Sequence, residues 1–360
     1  MPAIALTEAP DARNEFREII RDAAARGAPL RLQGSNSKAF LGRATAGTVL
    51  DTRGHAGVID YHPSELVITA RAGTPLAEVE ATLAEKGQML AFEPPHFGDA
   101  ATLGGTLACA LSGPRRPYAG AARDFVLGVT LIDGRGRLLR FGGQVIKNVA
   151  GYDVSRLVIG AMGTLGLMTE ISLNVLPRPA AEATIRLERD TAEAIRTVNE
   201  WMRTPSPISA VCFGDGQLHV RFSGSAADMR AAAAKLGGAE IEDAGRFWSD
   251  LREHRLAFFR EAPALWRLSV PPTTPPLPLP GRWLIEWNGG LRWLVSAAST
   301  EEIRAAADAA GGHATLFRAE RPCNDVFHPL APGIEALHHA LKAAFDPHRI
   351  LNPGRQYETI

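Results

Sequence analysis

Three glycine-rich segments hold the residues whose types and spacing could do chemistry. The first reads Gln33-Gly34-Ser35-Asn36-Ser37-Lys38 and directly follows the strand-like LRL at residues 30–32. Small residues let a ligand approach the main chain, and consecutive backbone N–H groups in a turn bind anions. This segment therefore predicts a cradle for a pyrophosphate, with an ordinary glycine–serine turn as the alternative. It matches neither a Walker loop nor a G-x-G-x-x-G fingerprint.

The second segment reads ATLGGTLACALSG at residues 101–113. Paired glycines beside a threonine fit a main chain pressed against a flat ring or a phosphate. Pro94 and Pro95 precede the segment, and four charged residues follow it: Arg115, Arg116, Arg123 and Asp124. Arginines pair with phosphates or with the carboxylate of an acidic substrate, and the alternative is a plain loop flanked by solvated arginines. The third segment comprises KNVAGYD at residues 147–153 and GAMGTLG at residues 160–166.

Length and composition restrict the class of protein that these segments belong to. With 360 residues, the chain predicts two domains or one discontinuous domain with an insert. Its 39 basic and 39 acidic side chains indicate neither a nucleic-acid nor an anionic-membrane partner. The N-terminal residues do not resemble a signal peptide, and no run of 18 apolar residues follows, so we expect a cytoplasmic protein with at most peripheral membrane contact through partners.

The elements that must position the three segments alternate between helix and strand. Residues 11–26 have helical periodicity and end at Gly27, and residues 66–95 predict strand, helix and strand in turn. Two alternating apolar runs flank Asp133-Gly134-Arg135-Gly136, which predicts a hairpin over residues 125–141, and a further strand is expected at 167–176. The first half of the chain is therefore predicted to be a mixed α and β domain.

The glycine-rich character ends at PRPAAEA, which suggests a domain boundary near residue 178. The strands and helices expected beyond it, including one helix over 245–260, suit a split βαβ sandwich, either single or doubled. Residues 271–281 are too rich in proline for a strand or helix and predict a stiff, exposed connection. Trp287 and Trp293 have the alternation of a buried strand, with an exposed interface as the alternative.

The order and spacing of the three segments resemble the FAD-linked oxidases of the p-cresol methylhydroxylase and vanillyl-alcohol oxidase type. Within them, the chain is similar to the smaller flavin subunits of bacterial glycolate oxidases. The family's Q-G-G-N-T type phosphate loop matches Gln33–Ser37, and its A-T-I-G-G-N-x-A-T-N-A-G-G segment matches ATLGGTLACALSG. Its G-Y-D-L-T segment matches GYDVSRLVIGAMGTLGLMTE at 151–170, and its D-P-x-x-I-L-N-P-G matches DPHRILNPG at 346–354.

This resemblance implies an α+β fold. A two-part FAD-binding domain would occupy residues 1–178, a smaller ferredoxin-like cap residues 179–340, and a C-terminal segment, 341–360, would return to the FAD domain. The residues implied to bind FAD are Gln33, Gly34, Ser35, Asn36, Ser37, Lys38, Pro94, Thr102, Gly104, Gly105, Thr106, Ala108, Arg123, Asp124, Gly163, Thr164, Gly166, Ile171 and Asn352.

Departures from the family pattern shape the expected chemistry. The phosphate loop has no histidine, and Cys109 does not stand at the usual attachment position, so we expect non-covalent FAD. The family's Asn-Ala pair in the flavin segment is Ala110-Leu111 here, which removes a side chain that can touch the ring or the substrate. The H-x-G-D-G-N-x-H stretch that binds metal and substrate in catalytic relatives is missing, and the histidines at 313, 328, 338 and 339 lack that context. We therefore expect no metal site.

The function implied is that of an FAD-binding subunit of a glycolate oxidase complex, which oxidises glycolate, a 2-hydroxy acid, to glyoxylate. A larger catalytic flavin subunit would be one partner. An iron–sulfur subunit would be another, because three cysteines without a C-x-x-C pair do not hold a cluster in this chain. No catalytic base is identified, and Arg115, Arg116 and Arg123 are the candidates for the acid's carboxylate. The alternatives are a stand-alone flavin-dependent 2-hydroxy acid or alcohol dehydrogenase or oxidase, and a scaffold without flavin.

Overall fold

The computed structural model describes residues 11–144, 152–320 and 323–360. The α-helices of these residues are α1 (Arg13–Arg26), α2 (Leu76–Ala84), α3 (Leu103–Cys109), α4 (Arg116–Ala119), α5 (Val154–Leu157), α6 (Thr191–Trp201), α7 (Ala226–Leu236), α8 (Ala244–Arg252), α9 (Ala257–Arg260), α10 (Thr300–Ala309) and α11 (Pro332–Phe345). The strands are β1 (Leu30–Gln33), β2 (Thr48–Asp51), β3 (Val58–His62), β4 (Val67–Arg71), β5 (Gln88–Met89), β6 (Val126–Ile132), β7 (Leu138–Gly142), β8 (Leu167–Asn174), β9 (Leu176–Pro177), β10 (Ala181–Glu188), β11 (Ile208–Gly214), β12 (Gln217–Gly224), β13 (Ala239–Glu240), β14 (Ala264–Ser269), β15 (Arg282–Glu286), β16 (Leu291–Val295) and β17 (His313–Ala319).

A small layer of helix and parallel strands forms the first part of the fold. Helix α1 buries Phe16 and Ile20 at helical spacing and ends at Gly27, which adopts the left-handed φ of 62° that favours glycine. Strand β1 pairs in parallel with β2, and its first residue also bridges to Leu351 near the end of the chain. The predicted helix over 11–26 and the strand at 30–32 are confirmed. The C-terminal segment shares a core with α1 and β1.

An antiparallel five-stranded sheet in the order β3-β4-β8-β6-β7 forms the second part. The predicted hairpin is its β6–β7 pair. The hairpin turn is held by the buried Asp133 carboxylate, which accepts hydrogen bonds from the backbone N–H groups of Arg135 (3.0 Å) and Arg137 (2.9 Å). Helices α2 and α3 pack on this sheet around a core that includes Leu76, Leu103 and Leu107. Segments 102–109 and 162–168 thereby lie beside the β1 loop.

An eight-stranded antiparallel sheet, in the order β13-β10-β12-β11-β15-β16-β14-β17, fills residues 181–319. Each half places its strands in the spatial order fourth, first, third, second, which is the split βαβ arrangement of ferredoxin-like folds. The halves join through the β11–β15 pair. The prediction of a doubled split βαβ unit is therefore confirmed, with one difference. In the second half the first helix is replaced by the exposed proline-rich stretch 271–281, whose Leu277 and Leu279 pack on the sheet.

Several predicted elements differ in extent from those observed. The strand expected within residues 88–95 is only two residues long, because the chain turns over residues 90–93: the Glu93 N–H donates to the Leu90 carbonyl oxygen (3.0 Å), and Glu93 has a φ of 47°. The helix expected over 245–260 is wrong as a single element, because His254, with a φ of 54°, separates α8 from α9. Trp287 and Trp293 are buried, so the interface alternative for them is wrong. Helix α11 runs across residue 340, where a domain boundary was expected.

Within the described residues, no helix combines the length and the apolar character needed to cross a membrane. Cys109, Cys212 and Cys323 are all free thiols.

Candidate functional site

A cavity of about 920 Å³ lies where the β1 loop, helix α3 and the segment before β8 meet. Asn352 and Arg355, which belong to the C-terminal segment, also contribute to the wall. The cavity is thus built from segments more than 300 residues apart, and all three glycine-rich regions of the sequence contribute to it.

The loop that follows β1 presents unused hydrogen-bond donors to the cavity. Within the described chain, the backbone N–H groups of residues 34–38 have no acceptor. Asn36 adopts a left-handed φ of 65°, which helps to turn consecutive N–H groups towards one side. The Gln33 side-chain oxygen, in the same wall, is buried without a hydrogen-bond partner. A bound group with several oxygens and at least one donor would satisfy both sets of atoms.

Charge in the cavity has a single sign. Arg31, Lys38 and Arg355 contribute to the wall, and none of the described lining residues is an aspartate or glutamate. Lys38 is 6% exposed, its Nζ donates to the His96 carbonyl oxygen (3.1 Å), and burial lowers the pKa of its ammonium group. Cations gathered around free backbone N–H groups favour a polyanion. The cavity therefore fits a pyrophosphate.

Close main-chain approaches explain why glycine occupies several wall positions. A Cβ added to Gly34 would lie 2.3 Å from Thr102 Oγ1, and one added to Gly163 would lie 2.7 Å from Asn352 Nδ2. Asn352 ties the wall together, because its Nδ2 donates to the Met162 carbonyl oxygen (2.7 Å) and its Oδ1 accepts from the Leu32 N–H (2.8 Å). The phosphate loop, the segment before β8 and the C-terminal segment are thereby fixed relative to one another.

Most residues expected to bind FAD line this cavity. Those that do are Gln33, Gly34, Ser35, Asn36, Ser37, Lys38, Thr102, Gly104, Gly105, Ala108, Gly163, Gly166 and Asn352. The lining does not include Pro94, Thr106, Arg123, Asp124, Thr164 or Ile171. Two of these have other partners: Asp124 Oδ2 accepts from the Ala121 N–H (2.8 Å), and Thr164 Oγ1 donates to the Ala161 carbonyl oxygen (2.7 Å). The role of every residue in the expected set stays a prediction.

The wall also contains residues outside the predicted set, including Arg31, Thr52, Ala72, Cys109, Met162 and Arg355. Four of these had a signal in the sequence. Cys109 and Met162 lie within the second and third glycine-rich segments, Arg31 lies on the strand that leads into the phosphate loop, and Arg355 directly follows the DPHRILNPG motif. Residues 147–151 of the third segment lie outside the described residues. Tyr152, which follows them, is almost fully exposed, and the Asp153 side chain caps α5.

The arginines expected to meet the acid's carboxylate do not line the cavity. Arg115 forms ion pairs with Glu93 (3.1 Å) and with Glu182, and so connects the first half of the chain to the eight-stranded sheet. Arg116 lies over the Trp287 ring, 4.2 Å from its centroid. Arg123 is exposed. Contacts of this kind hold the two sheets together, and the carboxylate role of these arginines stays a prediction.

The free N–H groups, the three cations, the unpartnered Gln33 and the glycine-lined walls fit a dinucleotide held through its pyrophosphate, as FAD is. Within the described residues, no group of three histidine, cysteine, aspartate or glutamate side chains is placed to hold a metal ion. Fold and cavity together define an FAD-binding protein.

Comparisons with known proteins agree. Residues 4–142 match the model of the FAD binding domain, and residues 332–356 match that of the FAD linked oxidases, C-terminal domain. Glycolate oxidase subunit GlcE of Escherichia coli (strain K12) is 51% identical over 332 residues, which are 92% of this chain and 93% of that protein. The chain belongs to the FAD-linked oxidases and, within them, to the family of this subunit. FAD is its cofactor, and it is an FAD-dependent oxidoreductase.

More distant relatives match only part of the chain. Glycolate oxidase subunit GlcD of Bacillus subtilis (strain 168) is 27% identical over 195 residues, which are 53% of this chain and 41% of that protein. D-lactate dehydrogenase of Anaerostipes hadrus is 32% identical over 146 residues, 40% of this chain and 30% of that protein. A solved structure of alkyldihydroxyacetonephosphate synthase, 15% identical, superposes with a TM-score of 0.65 over 96% of this chain and 75% of its own, which supports the fold alone.

Proposed function

We propose that this protein is the FAD-binding subunit of a complex that oxidises glycolate to glyoxylate and passes the electrons to an iron–sulfur partner subunit. The observation that carries the proposal is similarity to GlcE over nearly the whole chain, combined with a complete FAD cavity. A larger flavin subunit related to GlcD would be the main site of substrate oxidation. The cavity supplies the binding function that such a subunit needs.

The residues of this chain act by binding and orientation. The N–H groups of residues 34–38 and the side chains of Arg31, Lys38 and Arg355 would hold the pyrophosphate. Glycine at positions 34 and 163 lets the Thr102 and Asn352 side chains pack directly against the main chain, which holds the segments of the wall together. FAD, when bound, supplies the capacity to accept a hydride equivalent and to pass electrons on singly.

We also propose that FAD is held without a covalent bond. Among the described residues that line the cavity there is no histidine, and the one cysteine, Cys109, has a thiol whose pKa is raised by burial. A thiol kept protonated is a poor nucleophile. In domain terms, residues 1–178 with 341–360 would form the FAD domain and residues 179–340 the cap.

One experiment tests cofactor and role together. The chain is purified alone, its visible spectrum is recorded, and glycolate or D-lactate is added without oxygen. We expect a yellow protein whose flavin bands bleach slowly or not at all, and faster glycolate oxidation once the partner subunits are added. Rapid bleaching of the isolated chain would instead identify a stand-alone dehydrogenase. A colourless protein that cannot take up FAD would overturn the proposal.

Release of the cofactor tests the mode of binding. Acid precipitation should leave all of the FAD in the supernatant, both for the wild type and for Cys109→Ser. Flavin that stays with the precipitated wild-type protein and is lost from the Cys109→Ser variant would show a covalent bond.

A further inference from the structure

A second cavity, of about 360 Å³, lies between the eight-stranded sheet and the segment that follows α3. Phe97 and Leu111 contribute to one wall, and Trp293 and Phe317 to the other. The second cavity is close to the FAD cavity, because Leu111 is two residues beyond Cys109, which lines the first, and Lys38 Nζ is 6.0 Å from the centre of the Phe97 ring. A ligand bound here would be a near neighbour of the cofactor.

Two ionisable side chains stand in an otherwise apolar part of the sheet. Arg267 of β14 is paired in register with Trp293 of β16, and Glu286 of β15 is paired with Leu291. Leu265, Leu284, Leu291 and Trp293, which neighbour them, belong to one hydrophobic core. Both Arg267 and Glu286 line the second cavity. Ionisable side chains among apolar neighbours require an explanation, because burial of a charge is unfavourable unless the charge is paired or hydrogen-bonded.

Arg267, which is partly exposed, differs from the buried Arg221 and Arg292 in having no acceptor. Arg292 donates to three backbone carbonyl oxygens, and Arg221 forms an ion pair with Glu93 at 2.8 Å. The Arg267 guanidinium makes neither a hydrogen bond nor an ion pair with any described residue. It lies over the Trp287 ring, whose centre is 5.2 Å away, and has only a longer-range attraction to the Glu286 carboxylate. Burial lowers the pKa of Arg267 to about 10, so it stays cationic near neutral pH. An anionic ligand would satisfy it.

Glu286 does not serve as the hydrogen-bond acceptor of Arg267. Its Oε1 accepts a hydrogen bond from Trp293 Nε1 (2.7 Å), and no ion pair joins it to Arg267. Burial raises the pKa of Glu286 to about 7, so an incoming anion meets a carboxyl that is protonated for much of the time. His254 adds a further polar group to the wall, because its Nδ1 is buried without a partner, and burial keeps its pKa well below the ordinary value and its ring neutral.

We propose that the second cavity binds a small carboxylic acid as its anion, with the carboxylate paired to the planar fork of Arg267. The planar guanidinium matches the geometry of a carboxylate, and the remaining side chains of the wall are mostly apolar. This rests on the proposed function and deepens it, because it places a site for the acid on this subunit as well as on its flavin partner.

The test is calorimetric titration of the FAD-saturated protein with glycolate, D-lactate and oxalate. Glycolamide, which has the shape of glycolate without its charge, is the control ligand. We expect the acids to bind and glycolamide not to bind. Arg267→Met should weaken binding about tenfold or more, as expected for loss of a charge-assisted pair. Arg282→Met, at an exposed position on the same sheet, should leave binding unchanged.

Stability separates a ligand site from a structural role. Without ligand, Arg267→Met should unfold at the same temperature as the wild type or higher, because it removes a partly buried cation that no hydrogen-bond acceptor satisfies. A lower unfolding temperature would mean that the guanidinium supports the fold, and would overturn the proposal. If the methionine variant does not fold, Arg267→Lys keeps the cation but loses the fork, and it should bind the acids more weakly than the wild type.

The outcomes distinguish this site from the proposed function. Unchanged binding in Arg267→Met and Arg267→Lys, or no binding of any acid to the wild type at millimolar concentration, would refute the site while leaving glycolate oxidation by the complex intact. Arg267-dependent binding of D-lactate or oxalate, with no oxidation of glycolate by the assembled complex, would support the site and refute the function.

Discussion

Lys342 and Asp346 form an ion pair whose removal should affect both stability and cofactor binding. The two side chains are one helical turn apart, both are fully buried, and Nζ and Oδ2 are 2.8 Å apart. Lys342 Nζ also donates to the carbonyl oxygens of Thr164 and Leu351, each at 2.8 Å. Thr164 directly follows Gly163 and Leu351 directly precedes Asn352, and both Gly163 and Asn352 line the FAD cavity. One ammonium group therefore holds two walls of that cavity.

The size of the effect follows from burial. At a separation of 2.8 Å the Coulomb attraction is about 6 kcal/mol with an effective dielectric constant of roughly 20. Part of that attraction offsets desolvation, but removing one partner leaves the other charge buried and uncompensated, which costs about 3–5 kcal/mol. We therefore expect Lys342→Met to lower the free energy of unfolding by about 3–5 kcal/mol and to weaken FAD binding as well.

Urea denaturation at a fixed excess of FAD measures the first effect, and fluorescence titration with FAD the second. The matched control is Arg26→Met, which breaks an exposed pair with Asp22 at the same helical spacing. It should change the free energy of unfolding by about 0.5 kcal/mol or less. If Lys342→Met were no more destabilising than this control, the argument from burial would be refuted.

Three further predictions follow from the site and its surroundings. Gly34→Ala should abolish the yellow colour of the purified protein, because the added Cβ would meet the Thr102 hydroxyl. Gly54→Ala, where the added Cβ faces open space, should keep the colour. Equal FAD content in the two variants would contradict the assignment of the cavity. Folding raises the pKa of Glu286 from 4.5 to about 7, so between these pH values the folded state keeps a proton that the unfolded chain has lost. Raising the pH from about 4.5 to 7 should therefore lower the contribution of Glu286 to the free energy of unfolding by about 3 kcal/mol. Unfolding measured across that range should lose this slope in Glu286→Gln, and a retained slope would assign it to another group. Arg221→Met should lower the free energy of unfolding, measured in urea, by about 2–4 kcal/mol, because Glu93 then pairs with Arg115 alone. A change under about 0.5 kcal/mol would show that the Arg221–Glu93 pair does not hold the sheets together.

The sequence carried much of the fold because its local signals were strong. The helix before Gly27, the hairpin around Asp133–Gly136 and the phosphate loop after a strand each depend on neighbours in the chain. Local signals failed where one residue changed the backbone direction. The residue types Glu93 and His254 did not lead us to expect a positive φ. The strand expected before Glu93 and the helix expected across His254 are therefore shorter than their hydrophobic periodicity had predicted.

The cavity was predictable as far as its motifs extended. Glycines that match a family motif were found, but Thr52 and Ala72 lie in the wall only because strands and turns distant in sequence meet there. Arg115, Arg116 and Arg123 were predicted near the ligand but do not line the cavity. Their position after the flavin segment suggested a role at the ligand, whereas ion pairs and ring contacts across the two sheets are tertiary interactions that spacing does not show.

Completion of the FAD cavity by Asn352 and Arg355 has a consequence for biosynthesis. Chains fold from the N-terminal end as they are made, so the phosphate loop and the glycine segments emerge long before these two residues. Until residue 355 has left the ribosome, Leu32 and Met162 lack the side chain that joins them, and the cavity wall stays open. Tight capture of the cofactor therefore has to wait until residues 352 and 355 have been made and have folded into the wall.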